Sequence, residues 1–595
     1  MTTARLSSLP GLLALLAPLA TGAAAAGAPA ALTTVAEQSG YQRTGRYDEV
    51  IRLCEAFPSS FPGRARCHRF GQTPEGRPML ALIASADGVL DAQTARARRR
   101  KVVLFQGGIH AGEIDGKDAG LPLLRELLAQ PGKSAILGAA TVVFVPVYNV
   151  DGHERFGRNN RPNQLGPDEM GWRVTSQNLN LNRDYVKAEA PETAAMLRLL
   201  AEWDPILYVD LHVTDGADFQ PDVAVMVEPR LTGAQPLRAV AQATSDTLMQ
   251  RLQALRHRPL SFYPSFVTEG DPESGFAVGM PPPRFQNGYW PQRNRLGVLV
   301  ETHSWKDFKT RVRATADVMR TLLELARSDG DAWVAAAAQA DAAAERLGGS
   351  EVPLAFDNTE HKARLRFPGY AYRIEPSAIS GALRVRYDSH RPEIWEVPFY
   401  DEIKPVASAV APRAGFVVPA AHAGWVAEKL RLHGLSFSTI EREQELPVEA
   451  FRLTQKKFRE APFEGRQTVQ VKGAWKHEQR LVGRGSLYVP IAQPKARLLL
   501  HLFDPAGPDS LLSWGFFNAH LEQKEYMEPY VAEAVGEELL ARDAALRTAF
   551  LRKLAGDPVF ARDPAARLRF IHEHHASWDE RLDLYPVYKL DAPPR

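Results

Sequence analysis

The sequence contains very little cysteine and almost no net charge. Cys54 and Cys67 are the only cysteines among 595 residues, and 72 basic residues offset 70 acidic ones, so the formal charge is +2. A near-neutral chain without a basic stripe gives no reason to expect a nucleic-acid partner. The two cysteines can close one small loop as a disulfide, which we favour for an exported protein, or remain two buried thiols.

Long apolar runs are also absent. The apolar stretch at residues 9–20 is shorter than the roughly 20 residues that a membrane-spanning helix needs. Arg5 precedes this stretch and small residues follow it at 23–31, an order typical of a secretory signal peptide. We therefore predict a signal peptide over residues 1–30 and an exported protein, periplasmic or extracellular, without a membrane anchor. An irregular start rich in alanine and leucine is the alternative.

Several catalytic motifs are missing as well. The sequence has no phosphate-binding Gly-x-x-x-x-Gly-Lys and no Gly-x-Ser-x-Gly, so nothing indicates a P-loop nucleotide hydrolase or a serine hydrolase of that kind. The run His572-Glu573-His574-His575 lacks the second histidine of a His-Glu-x-x-His zinc motif. Its charged surroundings favour a solvated helix face.

Apolar runs of strand length alternate with helical patterns in the first part of the chain. Continuous apolar strands of this kind favour an α/β fold whose parallel or mixed sheet is covered on both faces. The predicted strands lie at residues 78–84, 102–105, 141–145, 206–211 and 297–300, and helical patterns include 117–129, 191–203 and 236–255.

The length of the chain exceeds what one hydrophobic core usually serves, so two or more domains are expected. A helical stretch at 311–347 ends at Gly348-Gly349-Ser350, which predicts a linker. We therefore predict a catalytic domain over residues 35–347 and an α+β accessory region of unknown role over 350–595. Within that region we predict strands between 468 and 502, and a helix from an Asp509-Ser510 cap to Phe550.

Polar groups follow four of the predicted strands at the point where each strand ends. His110, the segment from Asn149 to Gly152, His212 and Glu301 occupy these positions. Because ligands bind at the carboxyl ends of strands in open α/β sheets, we expect these side chains to lie together.

The residue types at these strand ends suit a metal hydrolase. A catalytic zinc ion commonly has three protein ligands and one open position, and His110, Glu113 and His212 supply such a set. Glu301 would be the general base that takes a proton from water. His303 is more readily explained as a structural residue than as a ligand.

Two arginine motifs offer positive charge to the same reaction. Arg173 and Arg183 are candidates to stabilise the oxyanion of a tetrahedral intermediate. Asn182 next to Arg183 also suits the binding of a terminal carboxylate, because a guanidinium can hold both carboxylate oxygens.

In their order along the chain these motifs resemble the zinc metallocarboxypeptidases of the carboxypeptidase A type. The resemblance covers about residues 40–325 and includes an early Gly71-Gln72-Thr73-Pro74-Glu75-Gly76-Arg77 turn. It implies an α/β/α fold with a mixed sheet, one zinc ion, and a peptide substrate with a free C-terminal carboxylate. It also implies roles for individual residues: zinc ligands His110, Glu113 and His212, general base Glu301, carbonyl-polarising Arg173, and carboxylate-binding Asn182 and Arg183.

Two positions depart from the family pattern. An aspartate usually orients the first zinc histidine, and Asn180 stands there in this chain. Its amide can accept the imidazole N–H, but it adds no negative charge to strengthen the ligand. For the family's mobile substrate-capping tyrosine, Tyr289 is our first choice and Tyr263 the second.

Two other functions stay open at this point. A zinc amidohydrolase of the aspartoacylase or desuccinylase type shares the His-x-x-Glu, the later histidine and the glutamate base. That group does not account for Trp172-Arg173 together with Asn182-Arg183. An exported, non-catalytic binding module on the same scaffold is the second alternative.

Overall fold

The computed structural model of the protein describes residues 32–595. The predicted signal peptide lies outside the described residues.

A mixed eight-stranded sheet forms the centre of the first region, and this confirms the predicted α/β class. Its strand order is β1-β2-β4-β3-β5-β9-β6-β7. The pairs β4–β3, β3–β5 and β5–β9 are parallel. Their continuous apolar sequences reflect burial, since every residue of β4, β5 and β6 is buried. The strands of this region are β1 (Ala65–Gln72), β2 (Pro78–Ala84), β3 (Lys101–Gly107), β4 (Ala140–Val145), β5 (Leu207–Val213), β6 (Val223–Glu228), β7 (Pro259–Leu260), β8 (Phe276–Ala277) and β9 (Leu296–Thr302).

Helices pack around this sheet. Several begin at proline or at a side-chain cap: Pro191 starts α7, and Asp307 accepts from the backbone N–H of Thr310 at the start of α10. The helices are α1 (Val35–Gln38), α2 (Tyr47–Ser60), α3 (Ala92–Ala97), α4 (Asp115–Ala129), α5 (Pro131–Ala139), α6 (Val150–Glu154), α7 (Pro191–Trp203), α8 (Gln235–Ala254), α9 (Gln286–Tyr289), α10 (Phe308–Ser328) and α11 (Gly330–Ala344).

The second region contains strands first and most of its helices last. Two long antiparallel hairpins, β11–β12 and β16–β17, are its most extended parts. Its strands are β10 (Glu351–Asn358), β11 (Ala363–Pro376), β12 (Leu383–Tyr400), β13 (Ile403–Val410), β14 (Gly415–Val418), β15 (Ser438–Thr439), β16 (Gln444–Phe458), β17 (Val469–Val482), β18 (Leu487–Pro490) and β19 (Tyr588–Leu590). Its helices are α12 (Ala420–His433), α13 (Ala496–Phe503), α14 (Pro529–Arg542), α15 (Ala544–Gly556), α16 (Pro558–Arg562) and α17 (Pro564–Glu573).

The prediction of a helix from Asp509 to Phe550 is wrong in its first half. Asp509 does not begin a helix there, because its carboxylate instead accepts from the backbone N–H and the side chain of Arg284. Gly515 has a φ of +80°, which ends any helical run. Regular helix begins only at Pro529. The prediction of strands between residues 468 and 502 is also wrong at its end, because residues from Ala496 onward form helix α13.

The two regions share one hydrophobic core. The cluster that contains the central sheet also contains Val352, Phe416 and Leu499 of the second region. In addition, β12 pairs in parallel with β8, so a strand of the first region joins the β11–β12 hairpin. The second region is therefore packed onto the first over a continuous apolar contact.

The structure joins Cys54 and Cys67 in a disulfide, as favoured from the sequence. The bond ties α2 to β1, the edge strand of the sheet. Among residues 32–595 the structure shows no helix that is long and apolar enough to cross a membrane.

Candidate metal centre and active-site cavity

The chain brings three strand ends together at one edge of the sheet. Strand β3 lies beside β5, and β5 lies beside β9, where His212 is directly opposite Glu301 in the ladder. After β3 the chain turns sharply at Gly108, whose φ of +64° favours glycine. A side chain at Gly107 would meet the carbonyl oxygen of Pro146 at 2.7 Å. The glycines of this turn therefore allow His110 to reach the sheet edge.

His110, Glu113 and His212 form a compact group of potential metal ligands. One donor atom from each lies within 4.8 Å of the other two, and all three residues are buried. The Nδ1 atom of His110 is 3.0 Å from Oε1 of Glu113, and the Nδ1 atom of His212 is 2.9 Å from Oε2. Two Nδ1 atoms and one carboxylate therefore face a common point, a donor set that zinc accepts.

The two histidines have different supports behind them. The Nε2 atom of His110 is 3.2 Å from Oδ1 of Asn180, a neutral amide. The Nε2 atom of His212 is 2.9 Å from Oδ2 of Asp210, a buried carboxylate. In both histidines Nδ1 is therefore the atom that faces Glu113. Only the contact with Asp210 places a negative charge behind the histidine, here His212.

Two arginines approach the carboxylate of Glu113. The guanidinium of Arg161 is 2.8 Å from Oε1, and that of Arg173 is 3.5 Å from the same atom. Burial acts to raise the pKa of Glu113, but the interactions of its carboxylate with His110 and Arg161 hold it well below its ordinary value. Glu113 is therefore ionised and available as a ligand.

The surroundings of Glu301 shift its pKa in the opposite direction to that of Glu113. Burial, together with the neighbouring negative charges of Glu113 and Asp210, raises the pKa of Glu301 to about 8. Burial lowers the pKa of His110 to about 4. A buried glutamate that exchanges a proton near neutral pH suits a general base.

A cavity of about 390 Å³ opens in front of this group. Its size suits one or two amino-acid residues of a substrate. The predicted site residues that line it are His110, Arg173, Asn182, Arg183 and Glu301. The other residues lining it include both apolar and charged side chains, namely Met226, Glu228, Arg230, Phe262, Tyr263, Phe285 and Leu299.

The Asn149 motif positions Arg173. Asn149 donates from its amide nitrogen to the carbonyl oxygen of Arg173 and accepts from the backbone N–H of Gly152. The neighbouring carboxylate of Asp151 binds the early turn, since Thr73 donates to it at 2.8 Å and Arg77 at 2.6 Å. The early turn and the Asn-x-Asp-Gly segment thus form one support beneath the cavity.

Asn182 and Arg183 both line the cavity. The Oδ1 atom of Asn182 is buried and has no hydrogen-bond partner among the described residues. Arg183 stacks over the ring of Phe285 at 4.3 Å and donates to the carbonyl oxygen of Asn182. Within the described residues Arg183 forms no ion pair, so its guanidinium can bind an anion.

The two candidates for the capping tyrosine, Tyr289 and Tyr263, lie in different places. Tyr289 is fully buried, and its hydroxyl group is 2.9 Å from Nδ1 of His433 in the second region. It does not line the cavity. Tyr263, the second choice, does line it, and its hydroxyl group contacts Thr214 and Asp215 at 3.3 Å each.

The remaining histidines take no part in this group. His303 is buried and stacks on Phe219 with ring centres 3.9 Å apart, which is a structural contact. Near the C-terminal end of α17, His574 is exposed and His575 is half-buried, whereas His572 is buried, so only part of this run lies on a solvated helix face. Over residues 32–595 the structure shows no second cluster of three metal-binding side chains.

Sequence reasoning missed three contributors to the site. Asp210 could have been found, because it lies two residues before His212 and alternate residues of a strand share a face. Arg161 stands in an irregular loop without a signal. Glu464 belongs to the β16–β17 turn, and its carboxylate accepts the backbone N–H of Asn180 at 3.0 Å across 284 positions of sequence.

The second region touches the site from several sides. Arg466 pairs with Glu189, next to the segment that carries Asn182. Asp509 pairs with Arg284 at 2.9 Å, beside Phe285 of the cavity wall. Lys429 donates to the carbonyl oxygens of Lys187 and Ala188.

Comparison with known proteins agrees with this geometry. Residues 50–221 match the family model of the zinc carboxypeptidases. This part of the chain is therefore similar to the zinc carboxypeptidases. The match includes His110, Glu113, Arg173, Asn182 and His212, and it favours neither the amidohydrolase nor the non-catalytic alternative.

Curated relatives and solved structures carry related names. The chain is 29% identical over 154 residues to carboxypeptidase 2 of Trichophyton rubrum, covering 25% of each protein. It is 25% identical over 213 residues to carboxypeptidase 2 of Trichophyton equinum, covering 34% of this chain and 36% of the relative. The chain thus spans about a quarter to a third of the curated relatives it matches. A metallo-carboxypeptidase from Pseudomonas aeruginosa in complex with (2-guanidinoethylmercapto)succinic acid aligns with a TM-score of 0.35 and 17% identity, over 48% of this chain and 69% of that one.

Proposed function

We propose that the protein is a zinc-dependent carboxypeptidase that removes the C-terminal residue of a peptide. One observation carries the proposal: His110, Glu113 and His212 converge at a sheet edge where Glu301 and the Asn182-Arg183 pair line the same cavity. A hydrolytic centre and a receptor for a terminal carboxylate then lie side by side. This arrangement favours an exopeptidase.

His110, Glu113 and His212 would hold one zinc ion. Their donor atoms fit, because each histidine keeps Nδ1 toward Glu113 while Nε2 is engaged by Asn180 or Asp210. When bound, zinc supplies Lewis acidity, which polarises a carbonyl group and lowers the pKa of water.

The other side chains would divide the work of hydrolysis. Arg183, with Asn182, binds the carboxylate of the substrate and fixes which peptide bond reaches the centre. Glu301 accepts a proton from the attacking water and returns it to the leaving amine. Arg173 donates to the carbonyl oxygen as negative charge develops there. Tyr263, at the cavity wall, replaces Tyr289 as the residue that covers bound substrate.

We further propose that the chain has a catalytic region over residues 35–347 and an accessory region over 350–595. The accessory region makes polar contacts with the segments around Asn180, Glu189 and Arg284. These contacts support a role for the accessory region in positioning the cavity wall. The signal-like N-terminal sequence and the disulfide support export of the protein.

A matched pair of substrates tests the proposal. An N-blocked dipeptide with a free C-terminal carboxylate is compared with its C-terminal amide, using zinc-loaded protein. We expect the amide to be hydrolysed at least about 100-fold more slowly, because it cannot form the charged contact with Arg183. Equal hydrolysis of both would overturn the exopeptidase assignment and favour the amidohydrolase alternative. Failure to hydrolyse either, with zinc bound, would favour the non-catalytic module.

A further inference from the structure

A second cavity, of about 470 Å³, lies between the two regions. One wall comes from the start of α8 and the segment around Met280, and the other from β10 and α13. Met280 and Pro281 line this cavity and also the active-site cavity. The two spaces are therefore neighbours separated by one stretch of chain.

Two arginines without acidic partners line this cavity. Arg238 and Arg497 both face it, and neither forms an ion pair with any residue in the described part of the chain. Burial and the charge of Arg238 together lower the pKa of Arg497, so the two cations repel each other. The Nε atom of Arg238 is buried and has no hydrogen-bond partner among residues 32–595. Both side chains are half-buried, and an oxyanion between them would relieve this repulsion.

The backbone adds positive potential at the same place. Arg238 lies in the first turn of the 20-residue helix α8, and Arg497 in the first turn of α13. Helix N-termini disfavour cations and attract anions. Neither first turn contains an acidic residue, and neither helix start has a side-chain cap. Two helix starts with arginines are thus directed to one cavity.

His501 supplies an independent polar group. Its side chain lines the cavity and is 5% exposed, and its Nδ1 atom has no hydrogen-bond partner within the described residues. As a cavity-lining residue, the imidazole ring can offer a hydrogen bond to a ligand there. The carboxylate of Glu351 also lines the cavity but pairs with neither arginine. Arg284 is engaged by Asp509 and is not free.

We propose that this cavity is a binding site for an oxyanion group, held by Arg238, Arg497 and His501. Phosphate and carboxylate groups both match two guanidinium forks and a ring nitrogen. The volume leaves room for a small organic group attached to the anion. A ligand bound here would join α8 of the first region to α13 of the second.

Thermal unfolding of the full chain tests the site without using hydrolysis. Inorganic phosphate is titrated at constant ionic strength, with sodium chloride as the reference salt. We expect a saturable rise of about 2–4 °C in the unfolding midpoint, because a ligand that binds only the folded state stabilises it. No rise beyond the chloride reference would overturn the proposal.

Two double variants locate the response. Arg238→Gln with Arg497→Gln should abolish it. The matched control, Arg552→Gln with Arg562→Gln, removes the same charge from exposed positions of α15 and α16 and should keep it. Equal responses of the two variants would place the bound phosphate elsewhere, for example at the metal centre, and would contradict the assignment.

A charge-conserving pair covers the case in which the glutamine variant does not fold. Arg238→Lys with Arg497→Lys keeps both charges and loses the guanidinium forks, so the apparent phosphate affinity should fall about tenfold. Unchanged affinity would contradict a site built on these arginines. Glucose 6-phosphate and citrate then distinguish the sources of the anion: a stronger response to the first indicates an organic phosphate, and to the second a carboxylate ligand.

Discussion

The two regions of the molecule contribute to the same site in different ways. The first region supplies every side chain placed at the metal centre and the wall of the cavity, including His110, Glu113, His212 and Glu301. The second region supplies contacts behind that wall, such as the carboxylate of Glu464 on the backbone of Asn180. Chemistry is concentrated at the strand ends of one region, whereas positioning is distributed over both. Substitutions in the first region should therefore change the reaction most.

Removal of the proposed general base, Glu301, should have the largest effect. Glu301→Gln keeps the shape of the side chain but cannot accept a proton, so kcat should fall about 10²–10⁴-fold. The zinc content should not change, because Glu301 is outside the proposed ligand set. Parallel measurement of turnover and bound zinc checks both statements. Turnover that stays at the wild-type level would contradict the role of Glu301.

Substitution of the residues behind the two histidines, Asn180 behind His110 and Asp210 behind His212, should have the next largest effect. Asp210→Asn removes the charge behind His212, and we expect about 10–100-fold weaker zinc binding. Asn180→Asp adds a charge behind His110 and should strengthen zinc binding. Competition with a chelator measures both affinities. If neither substitution alters zinc affinity or activity, the charge behind a ligand is unimportant in this site.

The contact between the regions should make stability sensitive to acid. Burial lowers the pKa of His433 to about 3, and its ring contacts the hydroxyl group of Tyr289 and the carbonyl oxygen of Val186. The unfolded chain binds a proton on this histidine near pH 6.5. Its contribution to folding is therefore intact above pH 6.5 and lost as the pH falls toward 3, by up to about 1.4 kcal/mol per unit. Urea unfolding of wild type and His433→Gln at pH 7.5 and 5 should show their difference shrinking in acid.

His257 in the first region provides the opposite case. Hydrogen bonds to Asp222 and Asp317 raise its pKa to about 9. Its contribution is therefore fully present below pH 6.5 and lost as the pH rises through about 9. The difference in stability between wild type and His257→Gln should shrink in alkali, by about 1–2 kcal/mol after allowance for solvent screening. A His433 effect that also shrinks in alkali would contradict the assignment of its cause.

The smallest effect is expected from the second region's contact with Asn180. Glu464→Ala removes the acceptor of the Asn180 backbone N–H and should lower kcat/KM about 3–10-fold. Glu460→Ala, at an exposed position of the same turn, is the control and should leave kcat/KM unchanged. Equal effects of the two substitutions would mean that the hairpin does not position the site.

The sequence was sufficient to predict the parts whose signal is local. Buried strands followed by His110, His212 and Glu301 could be recognised because apolar runs and turn glycines are visible over a few residues. Tyr289 was the first choice for the proposed capping tyrosine, but only tertiary placement distinguishes it from Tyr263, which lines the cavity. Asp509 satisfies the local rule for a helix cap, yet it pairs with Arg284 at a separation of 225 positions. Contacts between distant segments, including those of Glu464 and His433, leave no pattern in a single sequence.

Zinc content tests the central claim most directly. Protein purified without chelator and dialysed against trace zinc should contain one zinc ion per chain, and His212→Ala should contain almost none. His303→Gln, which changes a buried histidine outside the ligand set, is the control and should keep its zinc. Retention of zinc by the combined His110→Ala, Glu113→Ala and His212→Ala variant would contradict the assignment of the metal centre.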